Sequence, residues 1–387
     1  MNMTNKVKII ALIVAVAAAS VAGSSFYKMR HFQEPTVIGE QTTVKKLSDY
    51  EPQMKGSVND SNIYIIDSGK PGGTIMVIGS THPEEPATNI STALLIENAK
   101  LDAGRLIVVN RANRSASLTT RNGEAYTEYC SIETPWGKKT WRVGDRSASQ
   151  LDSWPDPEVY IHYPSGQMLA YMDIRNLNRT WPGRKNGLIV ERTCAAYTKL
   201  IEAEKVDLFI DLHEAELEYP VINTVVTHEK GQEIAAMTSM TLTAEEFPVP
   251  LNMEFSPKAL HGLSHREVGD HTRAISILFE VAEPYLDRIR GITDEKLVMT
   301  GKDEFVVTAG KHGLLYSPID ENGWPIDQRV GRHLSSILKS AEVFSMLNPD
   351  KAVAITSVPK YAEVVEKGLG VFFKDPSKAP ADKVIFD

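Results

Sequence analysis

The sequence predicts an α/β fold with parallel strand pairs, and three observations predict it. The first regular elements run strand, helix, strand, which is the signature of parallel pairing. The strands are bounded by Gly, Pro and Ser clusters of the kind that form turns. Three of the apolar runs also end by presenting a His or a Glu, and in open α/β sheets ligands bind beyond the carboxyl ends of the strands.

The elements follow in order. Lys6 and Lys8 precede the apolar run "IIALIVAVAAASVAG" (residues 9–23), with small residues at Ser20-Val21-Ala22. A basic start, a short apolar stretch and small residues read as an export signal. Residues 9–27 together also allow an uncleaved membrane anchor. Residues 1–30 are therefore assigned to export or anchoring, placing the mature protein outside the cytoplasm, periplasmic or extracellular. Residues 31–60 are polar and irregular and read as a linker. "NIYIIDSG" and "GGTIMVIGS" are two strands separated by Lys70-Pro71-Gly72-Gly73. Residues 87–100 have helical spacing, and "GRLIVVNRA" is the next strand. Residues 115–170, rich in Ser, Thr, Pro and Trp, read as a long surface excursion. A helix follows over about 189–204, then the strands "VDLFIDLHE" and "AISILFEVAEP". "QRVGRHLSSILKSAEVFSML" is a late amphipathic helix closing a domain over 61–346. Residues 347–387 read as a small appendage or a strand pair on the core.

Bulk composition narrows the function. The chain has 387 residues, 42% hydrophobic and 24% charged, with a net charge of −8. These are values of a soluble globular protein. No concentrated basic face is visible, so nucleic acid is not an expected partner. Two cysteines, Cys130 and Cys194, leave a single disulfide and two buried thiols equally open.

The chemistry-bearing residues sit at strand ends. "TIMVIGSTHPEE" ends at His82 and Glu85, "VDLFIDLHE" at His213 and "AISILFE" at Glu280. Two imidazoles and a carboxylate suit a catalytic zinc, which takes three protein ligands and leaves its fourth position to water. Glu280 is then left as a general base. "RNLNRTWPG" offers Asn178 and Arg179, an amide and a guanidinium suited to a substrate carboxylate, although a polar turn before Pro182-Gly183 explains them as well.

The four motifs in this order resemble the zinc carboxypeptidase-like superfamily, in particular its succinylglutamate desuccinylase/aspartoacylase-type deacylase branch. The resemblance rests on "THPEE", "NLNRTWPG", "DLHE" and "LFEVAEP", spanning residues 82–280. It implies a mixed, largely parallel sheet of about eight strands flanked by helices. It makes His82, Glu85 and His213 zinc ligands, Asn178 and Arg179 the binders of a substrate carboxylate, and Glu280 the base. Three departures stand out. Pro83 follows His82 where Gly is usual. Asn176 replaces the aspartate that orients the first zinc histidine, which predicts weaker zinc binding. The oxyanion-stabilising arginine is missing, since its position is Tyr171; Arg175 is the first candidate to replace it, with Arg111, Arg114 and Arg121 open.

The expected activity is hydrolysis of an amide bond near a free carboxylate, on a small-molecule or short-peptide substrate. A deacylase leads, and a carboxypeptidase for short or cell-wall peptides is the alternative. From another class, a catalytically silent binding module on the same fold remains. His261, His265 and His271 read first as exposed loop histidines and second as pocket lining. Glu214 and Glu216 read as a solvated acidic turn, and Tyr219 as core.

Overall fold

A computed structural model describes residues 3–119, 126–286 and 292–387. The chain divides into two compact units, residues 1–33 and 34–387. The first is helix α1 (Met3–Arg30), with a mean hydropathy of 2.3 over its most apolar stretch, long and apolar enough to cross a membrane.

The second unit is built on an eight-stranded mixed sheet. Its strands in chain order are β1 (Thr42–Lys46), β2 (Asn62–Asp67), β3 (Thr74–Ile78), β4 (Arg105–Val109), β5 (Leu208–Glu216), β6 (Thr224–Thr227), β7 (Asn252–Phe255) and β8 (Ile275–Glu283). They lie in the order β7-β6-β8-β5-β3-β4-β2-β1. The four central strands β8, β5, β3 and β4 are mutually parallel, while β6 against β8, β2 against β4 and β1 against β2 are antiparallel. The expected α/β sheet of about eight strands is therefore present.

Helices α2 (Pro86–Asn98), α3 (Ile189–Ala203), α4 (Gln232–Glu245), α5 (Ser264–His271) and α6 (Ile326–Leu347) flank this sheet. Alternate residues of a strand face opposite sides, so β5 divides between two cores. Leu208, Ile210 and Leu212 join Leu94, Phe279, Leu334 and Ile337 in one, while Phe209 joins Met76, Ile107, Trp181, Tyr197 and Leu200 in the other. α3 shows why its segment is helical. Its Ile189, Val190, Cys194, Tyr197, Leu200 and Ile201 are buried at helical spacing, and Glu191 accepts the Leu188 N–H at 3.0 Å to cap its start.

Three expectations change, and one open alternative is settled. Residues 34–60 are not a linker: β1 is the sheet's edge strand, Leu47 and Met54 are fully buried, and Glu34 pairs with the buried Arg111. Residues 347–387 are woven in, because Ala354–Thr356 pairs with Lys100–Ala103 and Val384–Phe386 pairs with Pro35–Val37. The Asp387 side chain accepts hydrogen bonds from Tyr64 and Asn62. The segment 115–170 is less superficial than its composition suggests. Its hairpin, Tyr129–Thr134 with Gly137–Arg142, buries Cys130 and Trp141 in the core. Finally, Cys130 and Cys194 are free, buried on opposite faces of the sheet.

Candidate metal centre and active site

A strand that stops early opens the site. Pairing of β3 with β5 ends at Ile78 opposite Asp211, whereas β5 and β8 stay paired through Glu216 and Glu283. Beyond Ile78 the chain turns away. Gly79 is required there, since a Cβ would lie 2.7 Å from Thr88 O, and Ser80 adopts a left-handed φ of 55°. Two hydrogen bonds, Ser80 N–H to Thr88 Oγ1 (3.0 Å) and Thr81 Oγ1–H to Asp211 Oδ1 (2.8 Å), hold the turn. The loop 79–85 thus carries His82 and Glu85 across the part of β5 that β3 leaves unpaired, where His213 lies directly opposite Glu280 in the ladder.

His82, Glu85 and His213 converge. Glu85 Oε1 is 2.7 Å from His82 Nδ1, Glu85 Oε2 is 3.2 Å from His213 Nδ1, and the two Nδ1 atoms are 3.1 Å apart. All three residues are buried, and their donor atoms form a group that could hold a metal ion. The far side of each ring is also held. His82 Nε2 lies 2.9 Å from Asn176 Oδ1, which also accepts the Asn178 N–H, so the ring nitrogen facing it carries a proton. His213 Nε2 lies 3.1 Å from Asp211 Oδ2, an ion-pair contact outside hydrogen-bond geometry. Both rings therefore turn Nδ1 inward.

Such a cluster needs positive charge at its centre. Burial, with the nearby Arg146 charge, pushes His82 down to about 4, so it is neutral and its Nδ1 lone pair faces the Glu85 carboxylate. Burial works against charge on His213 as well, but Asp211 and Glu85 outweigh it and hold its pKa well above the usual imidazole value. Either a proton on His213 or a metal ion among the three answers that need. The residues fit the metal, because donors sharing a tetrahedral zinc at about 2.0–2.1 Å lie about 3.3 Å apart. The outer acceptors, Asn176 and Asp211, supply the orientation that metal-binding histidines require.

A cavity of about 680 Å³ opens on this cluster and is lined also by Asn178, Arg179, Glu280, Arg146, Tyr219 and His265. Burial pushes the Glu280 carboxyl up to about 8 against the opposing charge of His213. Asn178 commits its Oδ1 to the Ser264 N–H (2.8 Å), leaving its NH₂ for a ligand, and its own carbonyl receives Arg179 Nη1–H at 2.7 Å. Burial, then the neighbouring Arg146 charge, lowers the Arg179 pKa. The Glu85 carboxylate is braced from behind, because the Glu214 N–H donates to Oε2 at 3.0 Å. Glu214 in turn pairs with Arg329 of α6 at 2.5 Å, both fully buried.

The structure thus brings together His82, Glu85, His213, Glu280, Asn178, Arg179 and Asn176. It does not bring Arg175, which donates to Ala148 O and pairs with Asp156. Arg111 is buried against Glu34, and Arg121 lies outside the described residues. Glu214 is a buried strand residue rather than part of a solvated turn, and Tyr219, 47% exposed, lines the cavity instead of packing in the core. His265 lines the cavity, whereas His261 and His271 flank the buried Glu267. Sequence reasoning missed Arg146 and Asp211. Asp211 had a signal, since it stands two residues before His213 and so shares its face; Arg146 had none.

No protein-family model matches the chain, and no curated protein matches it. Among solved structures it is similar to a succinylglutamate desuccinylase from a Silicibacter species (14% identity, TM-score 0.34, 57% of this chain and 53% of that one). It is also similar to a metallo-carboxypeptidase from Burkholderia cenocepacia (12%, 0.43, 85% and 68%). A third is a succinylglutamate desuccinylase/aspartoacylase from Rhodobacter sphaeroides (13%, 0.40, 78% and 62%). The chain spans about half of the first structure's length and about two thirds of the other two. At such identities and scores, what the residues do is read from the site itself.

Proposed function

We propose that the chain is a zinc-dependent hydrolase that cleaves an amide bond near a free carboxylate. The observation that carries the proposal is the pair of inward Nδ1 atoms, 3.1 Å apart beside the Glu85 carboxylate, with Glu280 across the ladder from His213. His82, Glu85 and His213 would hold the ion. When bound, zinc lowers the pKa of water toward about 7 and polarises a carbonyl.

The protein's own groups supply the rest. Arg179 and the Asn178 NH₂ receive the substrate carboxylate and fix its register in the cavity. Glu280 takes the proton from the attacking water and passes it to the leaving amine. Asn176 and Asp211 keep both rings turned the right way. The cavity volume of about 680 Å³ favours a second reading of the substrate, a short peptide rather than a small acyl amino acid. Helix α1 suits the same reading if it serves as an export signal or anchor, because peptides of the cell envelope would then be at hand.

The test is zinc content together with turnover. The wild-type protein is expected to hold about one zinc per chain and to lose it in His213→Ala. A panel of N-acyl amino acids and short peptides then divides deacylase from carboxypeptidase. A protein that binds no zinc after incubation with the metal refutes the hydrolase and leaves the binding module.

A further inference from the structure

The histidines of "HGLSHREVGDHT" belong to a second cluster, which the reaction above does not use. His261 and His271 stand on either side of Glu267. His261 Nδ1 is 2.8 Å from Glu267 Oε1, and His271 Nε2 is 3.1 Å from Glu267 Oε2. A third imidazole comes from the hairpin that pairs Tyr160–Ile161 with Met168–Leu169, where His162 stacks on His261 with ring centroids 5.7 Å apart. One ligand atom each of His162, His261 and Glu267 lies within 4.8 Å of those of the other two. His162 and Glu267 are buried. A carboxylate enclosed in this way needs compensating charge, and a divalent ion supplies it.

We propose that His162, His261 and Glu267 form a second metal site, which takes zinc and clasps the hairpin, the loop 259–263 and α5 together. The site does not depend on the hydrolase reading. Two imidazoles and one carboxylate are ordinary zinc ligands. Their spacing repeats that of the first cluster, where His82 Nδ1 lies 2.7 Å from Glu85 Oε1. The proton of His162 is already placed. A carbonyl can only accept, so the contact of His162 Nε2 with Trp181 O (2.6 Å) puts the proton on Nε2 and leaves the lone pair on Nδ1. Burial holds the His162 pKa below the usual imidazole value, so the ring is neutral, as a ligand must be. His261 ligates through Nδ1 as the tautomer protonated on Nε2. The ion competes with the Ser165 hydroxyl, 2.8 Å from His162 Nδ1, which makes this the weaker of the two sites.

The surroundings hold these groups in place. Metal ligands need their far sides fixed by further contacts. Trp181 O does this for His162, while for Glu267 the Gly262 N–H donates to Oε1 (3.0 Å) and His271 pairs with Oε2. Gln167 ties the hairpin to the loop, since its Oε1 accepts the His261 N–H (2.9 Å) and its Nε2–H donates to Ala259 O (2.8 Å). Gly262 adopts a left-handed φ of 86°, and a Cβ there would collide with Arg179 O, so the loop is pressed against the Arg179 backbone. At the start of α5 the Ser264 N–H donates to Asn178 Oδ1 (2.8 Å). An ion in the clasp therefore stiffens the segment that carries Asn178 and Arg179. The His261 side chain is 31% exposed, which gives the ion a way in from solvent.

The experiment uses zinc chloride alone as the probe, on the full chain without an affinity tag. Zinc uptake is read by calorimetric titration, and stability by thermal melts with and without zinc. The protein as purified keeps the ion of the first site, and titration is expected to fill one further site per chain. The His213→Ala chain, which lacks the first site, is likewise expected to take up one zinc on titration and to melt higher with it. That background makes the result independent of the first site. Adding His261→Ala or Glu267→Gln to it should abolish both the uptake and the rise in melting temperature. His261 is partly exposed, so its loss leaves the core intact even where the buried Glu267→Gln disturbs folding. No uptake by the His213→Ala chain would overturn the site, as would uptake undiminished by His261→Ala. A site that fills without raising the melting temperature would overturn its role as a clasp.

Discussion

Replacing Asn176 with Asp should tighten zinc binding. The Asn176 oxygen lies 2.9 Å from His82 Nε2, inside a site where both residues are buried, and it also accepts the Asn178 N–H at 2.9 Å. An aspartate can keep both contacts and adds a full negative charge that makes His82 a stronger donor to the metal. Losing such an orienting partner typically costs about 10- to 100-fold in metal affinity, so gaining its charge should return a comparable factor, about 1.4–2.7 kcal/mol. The charge is costly without the ion, because a buried carboxylate must then find its compensation elsewhere. The metal-free variant should therefore melt lower than the metal-free wild type, and the zinc-loaded variant should regain the loss. Competition against a chromophoric chelator of known affinity measures the first effect, and thermal melts with and without zinc the second. Unchanged or weaker zinc affinity in Asn176→Asp would refute the reasoning that this amide limits the site.

Further expectations follow from the same geometry. Asp211→Asn should weaken zinc binding by about 10- to 100-fold in the same chelator titration, because it removes the charge beside His213 Nε2. Glu280→Gln should reduce kcat by about 10²–10⁴-fold while zinc content stays at the wild-type level; a matching loss of zinc would make Glu280 a ligand instead. Arg329→Met strands the buried Glu214 carboxylate and should cost about 3–5 kcal/mol by denaturant titration, against an effect near zero if the pair contributes little. Glu204 is held down to about 2: burial opposes its charge, but hydrogen bonds from Lys45 (2.9 Å), Tyr50 (2.5 Å) and Arg105 prevail. Its folded pKa is depressed, so its contribution is present above about pH 4.5 and is lost as pH falls toward 2. The melting difference between wild type and Glu204→Gln should shrink across that window, and a difference independent of pH would contradict it.

The central sheet was legible because its strands are apolar runs ending at abrupt Gly or Pro signals, and those ends carry the candidate site residues. Candidate ligands three residues apart, such as His82 and Glu85, can be picked out from spacing, and the structure brings the two side chains together. Arg146 could not be picked out in this way. It reaches the cavity through backbone hydrogen bonds to Pro83, Ala116 and Arg175, none of which leaves a mark in residue type. The edge strand Thr42–Lys46 was hidden for a related reason, since "TTVKK" is mostly polar and its membership of the sheet comes from pairing with β2. Glu214 looked like a solvated acid because its partner, Arg329, lies 115 positions away. Residue composition reports burial well only where a group's partner is near in sequence or is water.

The in-register pairing of His213 with Glu280 has an evolutionary consequence. Both stand on paired central strands, so their separation is set by the ladder and survives changes in the surrounding loops. Arg146 and Tyr219 come from connecting segments outside that ladder, and Phe255 from β7 at the sheet's other edge. A lineage can therefore exchange the walls of the chamber and the compound it admits while inheriting the His213–Glu280 pairing intact, and a designer can graft new walls onto the same floor.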